Sequence, residues 1–472
     1  MLTTSLNSTL AHEIFRLNLT DAGNAEAFAK IYGDQLRYCH GIGWHIWNGT
    51  YWQPDDTKNT MKLVKELSKW RQMAISQFET DYNTKLKKLK MALNLEQTLG
   101  AKNCLEFAQS LSPFSCSPKS LDSDPECLAC PNGTLYPEYG YLGHSDQTDL
   151  ITKSLAIAYD ESANAPRWIS FLEQVFTSYM GKTDYELIEY VQKALGYCLT
   201  ALTNERCLFV CYGEGANGKS TFLNIVDYIL GSYSTTIPFS NLEDKGGEKT
   251  GHDLAGLRGI RFLAASESNQ QTSLDEAKIK RLTGGDESIS VRFLYGKYFR
   301  YVPGFKIWLA CNHKPRIRGT DEAIWDRIKL IPFNSRFAKA ASNTDKELLK
   351  KLKAEGEGIL QWMVEGCMKW AADGLQDCKT VTDATYSYRT EEDYFVEFLL
   401  QNITASQGTF TTSEDIWQRH NQWARTNGYS EIPNTNRLGM AMSNKGHKST
   451  QRSVNGKLKR GYCRKPRSLT HP

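Results

Sequence analysis

Leu208-Phe-Val-Cys-Tyr-Gly-Glu-Gly-Ala-Asn-Gly-Lys-Ser-Thr221 is the stretch on which the fold turns. Its first five residues are apolar and read as a short buried strand. Gly213-x4-Gly218-Lys219-Ser220 follows as a glycine-rich loop, and Thr221-Phe-Leu-Asn-Ile-Val opens an amphipathic helix. That is a P-loop in the strand–loop–helix setting it requires. Glycines let backbone N–H groups turn inward around a phosphate chain, and the helix N-terminus adds partial positive charge. Lys219 is placed to reach the β- and γ-phosphates of ATP, and the Ser220 hydroxyl to hold Mg²⁺. The candidate nucleotide-binding set is Gly213, Glu214, Gly215, Ala216, Asn217, Gly218, Lys219, Ser220 and Thr221. The plainer alternative, a glycine-rich turn before an ordinary helix, leaves the apolar strand without a purpose.

The chain has 472 residues, enough for several domains, and its 40% hydrophobic content suffices for packed cores. A net charge of +4 is too small to speak for nucleic acid, so only local charge patterns can. There is no N-terminal basic-then-apolar signal and no apolar run of membrane-spanning length, which predicts a soluble, cytoplasmic protein. The 12 cysteines are scattered, and several, such as Cys207, Cys211 and Cys311, sit in apolar patterns. Free thiols in a reducing compartment fit them better than disulfides. Cys127-Leu-Ala-Cys130, with Cys116 and His144 nearby, has metal-like spacing. It lacks a second close pair, so core or loop cysteines are expected rather than zinc.

The first forty residues are polar and weakly periodic. Gly43-Trp-His-Ile-Trp-Asn-Gly-Thr-Tyr-Trp52 then carries Asn48-Gly49 between aromatic runs, a strong hairpin signal. Such aromatics either stack on bases or fill the core of a small domain, and the core is the expectation. Apolar residues at Met61, Val64, Leu67, Trp70 and Ala74 predict a helix, and a second helical stretch covers about 84–111. Its run Lys85-Leu-Lys-Lys-Leu-Lys90 reads as a solvated face. Residues 112–150 read as loops, and helices resume near 167–176 and 185–199. After the glycine-rich loop, apolar strands are predicted at 260–266, 305–311 and 328–332, with helical pattern between them. This alternation implies a mostly parallel, covered sheet. A long helix over about 345–372 closes the unit.

Hydrolysis needs an acid near Mg²⁺, a polar group sensing the γ-phosphate and a positive charge for the transition state. Glu267 ends the second apolar strand and is the candidate acid and second metal ligand beside Ser220. Asn312 ends the next, a fitting place for the sensor. Arg327 follows in Asp321-Glu-Ala-Ile-Trp-Asp-Arg327 and could serve a neighbouring subunit as an arginine finger. With Lys219, these are the candidate catalytic residues. Between them, Ile289 to Val302 reads as a β-hairpin with Tyr295-Gly-Lys297 at its tip. A basic, aromatic tip suits contact with a nucleic-acid backbone, though an ordinary surface hairpin has the same pattern.

Several long stretches resemble the superfamily 3 helicase module of phage and plasmid primase-helicases, akin to the poxvirus primase-helicase. They are Leu121-Asp-Ser-Asp-Pro125, Pro131-Asn-Gly133, Gly196-Tyr-Cys-Leu-Thr200, Gly213–Ser220, Leu274-Asp-Glu-Ala-Lys-Ile-Lys-Arg-Leu-Thr-Gly-Gly-Asp286 and Asn312-His-Lys-Pro-Arg-Ile-Arg-Gly-Thr-Asp-Glu-Ala-Ile-Trp325. The resemblance covers about 120–375. It implies an α/β, AAA+-like P-loop ATPase core with a parallel sheet, ring hexamers and ATP-driven 3′→5′ movement on single-stranded and forked DNA. By the same resemblance Gly213–Ser220 is the Walker A motif, Glu267 the Walker B acid, Asn312 sensor 1, Arg327 the arginine finger and the Lys297 segment the DNA-binding hairpin. Lys280 occupies the lysine of the family's Lys-x-Leu-Thr-Gly-Gly-Asp stretch. The family often has a second acid after Glu267, where this chain has Ser268-Asn-Gln-Gln271. The short segment before the aromatic hairpin leaves no room for a primase domain, so a separate primase is expected.

The expected organisation is a mostly helical N-terminal region (1–115), a helical extension (116–200), the ATPase core (201–375) and a C-terminal winged-helix domain (380–472). The last region ends in a basic tail. From Lys445 to Arg467 that tail includes Lys445, Lys448, Arg452, Lys457, Lys459 and Arg460 and has no acid, so it is a second candidate DNA contact. The expected function is a replicative DNA helicase of a phage, plasmid or mobile element. The alternative is an ATP-switched origin-binding or loading protein that does not translocate.

Overall fold

The computed structural model of the chain describes residues 7–463, apart from 178–180, 245–251, 267–272, 286, 293–297, 318–321, 338–344, 346, 393, 403–409, 428–431, 433, 445–446, 448 and 455. Its centre is a five-stranded sheet in which every neighbouring pair is parallel. The strands are β1 (Leu208–Tyr212), β2 (Ser234–Pro238), β3 (Phe262–Ser266), β4 (Lys306–Cys311) and β5 (Ile328–Pro332), in the spatial order β5-β1-β4-β3-β2. Four of them follow the apolar runs read from the sequence. The fifth, β2, is Ser-Thr-Thr-Ile-Pro at the sheet edge, where only Ile237 is buried. An edge strand needs no continuous apolar run, which is why the pattern missed it.

Alternate residues of each strand feed two cores. Phe209, Cys211, Phe262, Ala264, Trp308 and Ile331 enter one, while Leu208, Val210, Leu263, Ile307, Leu309 and Leu330 enter the other. The first core also takes the helix Lys219–Leu230 that follows the glycine-rich loop. A train of rings runs through it. Phe209 stacks on Trp308 at 4.4 Å, Trp308 meets Phe222 at 5.9 Å, and Phe222 stacks on Trp168 at 5.8 Å. Trp168 belongs to the helix Pro166–Val175, so the segment before the sheet shares its core.

The helix expected over 345–372 is two helices, Leu348–Lys353 and Gly356–Asp373. The break frees Glu355. Its carboxylate accepts the backbone N–H groups of Arg167 at 3.0 Å and Trp168 at 3.1 Å. It thereby caps the helix Pro166–Val175, whose own N-cap residue, Ala165, has no side-chain acceptor.

The N-terminal unit wraps the helices Ser8–Arg16, Asp21–Tyr32, Asn59–Phe78, Tyr82–Leu93 and Thr98–Ala108 around a four-stranded sheet. The sheet runs Trp52–Pro54, Gly43–Trp47, Leu36–Cys39, Ser115–Cys116. The first two helices lie in the stretch read as weakly periodic, and Asn7 and Thr20 cap them. The hairpin forms as expected. Its turn is held by Asn48 Oδ1, which accepts the N–H groups of Thr50 and Tyr51 at 3.0 Å each. Its aromatics turn inward: Trp44 packs on Phe28, and Trp52 is fully buried.

Residues 112–150, read as loops, contain a small antiparallel sheet of Leu128–Cys130, Gly133–Tyr136 and Tyr141–Gly143. The extension is therefore α-helical only from Pro166 onward, with a single 3-10 turn at Gln147–Asp149 before it. Cys127 and Cys130 are buried in its core. At the C-terminus, the helices Ser413–Asn427 and Thr435–Asn444 accompany a three-stranded antiparallel sheet ordered Phe410–Thr412, Lys457–Cys463, Ser449–Val454. Within the stretch read as a basic tail, Ser449–Val454 thus pairs antiparallel with Lys457–Cys463. Among the described residues, no helix is long and apolar enough to cross a membrane.

Candidate functional site

The loop after β1 is shaped by three of its own residues and braced by two from beyond β5. Gly218 sits at φ +88°, and a Cβ there would meet Val175 Cγ2 at 2.7 Å. The helix behind it starts at a glycine with no side chain to cap it, and although Lys219 N–H donates to Asn217 Oδ1 at 3.4 Å, the helix start still offers partial positive charge to an anion. Ala216 adopts φ +62°, the left-handed region. Asn217 is buried, and its amide nitrogen donates to the carbonyl of Phe333 at 3.2 Å. Phe333 N–H in turn donates to Tyr212 O at 2.7 Å, and Phe337 N–H to Ala216 O at 2.8 Å. The chain just beyond β5 therefore braces the loop from outside. Phe333 was not among the residues singled out from the sequence, since it enters through its backbone.

Lys219 lies beneath this loop with only 6% of its surface exposed. Its ammonium donates to Gly213 O, to Asn217 Oδ1 at 3.2 Å and to Asn312 Oδ1 at 3.1 Å. An ammonium has three donors, and all three have acceptors here. Burial pulls its pKa below the ordinary lysine range. Asn312 reaches it because Cys311, the last residue of β4, stands in register with Tyr212, the last of β1. The chain leaving β1 runs toward β2 at one edge, whereas the chain leaving β4 crosses back past β1 to β5 at the other. Oppositely directed exits open a crevice at the carboxyl ends of the strands, where α/β sheets hold their ligands. Ser220, exposed on the first turn of the helix, stands at its rim. A short polar loop, an uncapped helix N-terminus, a lysine and an exposed hydroxyl suit a phosphate chain with a bound divalent cation.

Arg327 is elsewhere. It precedes Ile328, which pairs with Leu208 at the amino end of the sheet, and its carbonyl accepts Leu208 N–H at 2.7 Å. The length of β1, about 13 Å at about 3.3 Å per residue, separates that edge from the loop. Its guanidinium is occupied locally, by Thr283 Oγ1 at 3.2 Å and Ala323 O at 2.5 Å. The structure thus brings Lys219 and Asn312 together and sets Arg327 apart. Glu267 lies outside the described residues, directly after Ser266 of β3.

The hairpin between β3 and β4 forms: Ile289–Val291 pairs antiparallel with Phe299–Tyr301. Its tip, with Tyr295 and Lys297, lies outside the described residues. Arg292 and Tyr298 close its neck, with the guanidinium 4.9 Å from the ring centre. Lys280 is half-buried on the helix Glu276–Leu282. In the C-terminal hairpin Arg452 stands directly opposite Lys459, and both are exposed, as are Lys457 and Arg460. Like charges directly opposed destabilise a strand pair. Lys445 and Lys448 lie outside the described residues.

Two families match the chain: one described as D5 N terminal like, over residues 25–177, and a family of unknown function, DUF5906, over 211–327. "Putative helicase L207/L206" of Acanthamoeba polyphaga mimivirus is 27% identical over 343 residues, 68% of this chain and 35% of that protein. "Primase D5" of fowlpox virus (strain NVSL) is 25% identical over 255 residues, 51% of this chain and 32% of that protein. The chain thus spans about a third of the length of these relatives. Among solved structures, the apo C-terminal region of NrS-1 aligns at TM-score 0.41 and 13% identity, covering 66% of this chain and 79% of that one.

Proposed function

We propose, for a chain that belongs to the primase-helicase-like superfamily 3 helicases, that it is an ATP-driven DNA helicase acting in replication of a virus, phage, plasmid or other mobile element. The observation that carries this reading is the Lys219 ammonium held between Gly213, Asn217 and Asn312 in the crevice between β1 and β4. On this reading the Gly213–Ser220 loop is a P-loop in an AAA+-like core. Its backbone N–H groups wrap the phosphates, Lys219 turns to the β- and γ-oxygens, and Asn312 follows the γ-phosphate. Ser220 and Glu267 would hold Mg²⁺, which supplies charge neutralisation at the transferring phosphate. The C-terminal unit, a helix pair with a basic hairpin, reads as a winged helix that grips DNA through Arg452, Lys457, Lys459 and Arg460.

The placement of Arg327 at the far edge of the sheet supports a ring in which it serves the neighbouring subunit. Hexameric assembly, 3′→5′ polarity, a cytoplasmic site of action and a separate source of primers belong to the same proposal. The test is strand displacement on a forked duplex by the purified chain with ATP and Mg²⁺, beside Lys219→Ala. ATP-dependent displacement that the variant lacks supports the helicase. DNA binding and ATP hydrolysis without displacement favour the loading protein instead.

A further inference from the structure

Cys39 and Cys116 end two neighbouring strands in register. Leu36–Cys39 runs parallel to Ser115–Cys116, with Tyr38 opposite Ser115 and Cys39 opposite Cys116. Neighbouring strands lie about 4.8 Å apart, within the roughly 4.4–6.8 Å over which Cα atoms can be bridged by a disulfide. Both cysteines are free thiols, and each is the largest influence on the other's ionisation. In its thiol form Cys116 donates to the carbonyl of Tyr38 at 3.5 Å.

The two thiols are unlike. Cys39 is fully buried and Cys116 half-exposed. The neighbouring Cys39 thiol, helped by the nearby Arg37 and Arg258 charges, holds the Cys116 thiol below its ordinary range. Cys116 at its side, with burial, pushes Cys39 well up. An accessible thiol biased toward thiolate beside a shielded partner is the division of labour of a redox pair. Cys104, in the core of the same unit, shows the contrast: it is buried and pushed up to about 12.

We propose that Cys39 and Cys116 form a reversible disulfide and are a redox modification site of this chain, oxidised by low-molecular-weight disulfides such as oxidised glutathione. The Cys116 thiolate attacks one sulfur of the oxidant, forming a mixed disulfide and releasing one glutathione thiolate. Cys39 then loses its proton to solvent and attacks Cys116 Sγ, which releases the second glutathione. Two protein thiols are oxidised, and one glutathione disulfide is reduced to two thiols. In a reducing cytosol the pair rests as dithiol, and exposure to oxidant closes it.

The bond would act on a joint. Ser115–Cys116 is a two-residue edge strand, and the chain beyond it presents the carbonyls of Pro118 and Leu121 to Arg258 Nη2. Four residues before Arg258, Leu254 O accepts the hydroxyl of Tyr301 at 2.7 Å, and Tyr301 is the foot of the hairpin between β3 and β4. Cross-linking Cys116 to Cys39 therefore fastens the segment that ties the N-terminal unit to the sheet unit. The closed loop runs from residue 39 to residue 116, and a loop of that length strongly constrains the unfolded chain.

The experiment uses the full chain, purified reduced and equilibrated in glutathione buffers of rising oxidised fraction. Free thiols are then blocked with iodoacetamide, and the digest is mapped unreduced by mass spectrometry. The expected result is a linked pair of peptides carrying Cys39 and Cys116, growing with the oxidised fraction and lost on adding dithiothreitol. Cys104 should stay alkylatable after denaturation throughout. The oxidised chain should melt several degrees above the reduced one, and Cys39→Ser should show no such shift while accumulating glutathione on Cys116. Two results overturn the proposal: Cys116 carrying stable glutathione in the unsubstituted chain while Cys39 stays free, or both remaining thiols in buffers that oxidise a reference dithiol. The peptide map of the unsubstituted chain decides the matter even if Cys39→Ser does not fold.

Discussion

Lys219 Nζ and Asn312 Oδ1 stand 3.1 Å apart, joining the loop after β1 to the end of β4. The contact makes Asn312 a partner of the lysine as well as a candidate sensor. Asn312→Ala should leave the ammonium its contacts to Gly213 and Asn217, so nucleotide binding should change little. Turnover should fall by about 10²–10³, the usual scale for one lost transition-state donor. Lys219→Ala should lose turnover altogether. Steady-state ATPase with a nucleotide titration separates the two, and an Asn312→Ala chain with unchanged kcat would leave that contact a purely structural one.

Gly218→Ala should damage the loop through sterics alone. The residue has φ +88°, and the new methyl would strike Val175 Cγ2 at 2.7 Å. The left-handed backbone alone costs about 1–2 kcal/mol. Gly215→Ala is the control, since a Cβ there meets nothing within 4 Å. Thermal melts with and without nucleotide should show Gly218→Ala losing both stability and the nucleotide-induced rise, with Gly215→Ala close to the parent.

Arg327→Ala should be inactive alone and regain ATPase when mixed with inactive Lys219→Ala. Some interfaces in the mixture would join an intact loop to an intact arginine, and such fingers are worth about 10³–10⁵ in rate. Titrating one variant into the other at fixed total protein should give a maximum at intermediate ratios. A flat line, with co-assembly verified by mass, means Arg327 serves only its local contacts to Thr283 and Ala323.

Lys459→Glu should make the protein more stable and a poorer binder of nucleic acid. It replaces the like-charge pair with Arg452 by an opposite-charge one, worth about 0.2–1 kcal/mol. If Lys459 contacts a phosphate, the slope of log affinity against log salt should shrink by about 1. A gain in melting temperature with unchanged DNA affinity removes this hairpin from the DNA interface.

The strands with continuous apolar runs were legible because strands buried on both faces have little choice of residue. The strand–loop–helix unit around Gly213–Lys219 was legible because an apolar strand, a glycine-rich turn and a helix start are encoded locally. β2 was not, since an edge strand of serine and threonine carries no such signature. The helix Asp21–Tyr32 hides for another reason: its large buried residues, Phe28, Ile31 and Tyr32, are confined to its second half, while the first half buries Gly23, Asn24, Ala25 and Ala27, which mark no apolar stripe. The break at Glu355 depends on a partner almost two hundred positions away, and the bracing carbonyl of Phe333 has no side-chain identity to read. The Lys219–Asn312 pairing needed the register of β1 against β4, which residue spacing does not contain.

The cap that Glu355 places on the helix Pro166–Val175 bears on how the chain can be divided. The D5 N terminal like match ends at residue 177, just past that helix. A fragment cut there would keep the helix but leave behind its cap and the rings of Phe222 and Trp362 that pack on Trp168. The boundary of sequence kinship is therefore not a boundary of folding. Expression of the amino-terminal portion by itself would present a large aromatic surface to water, and a cut moved upstream must also pass Cys127–Leu155, whose buried residues enter the same core.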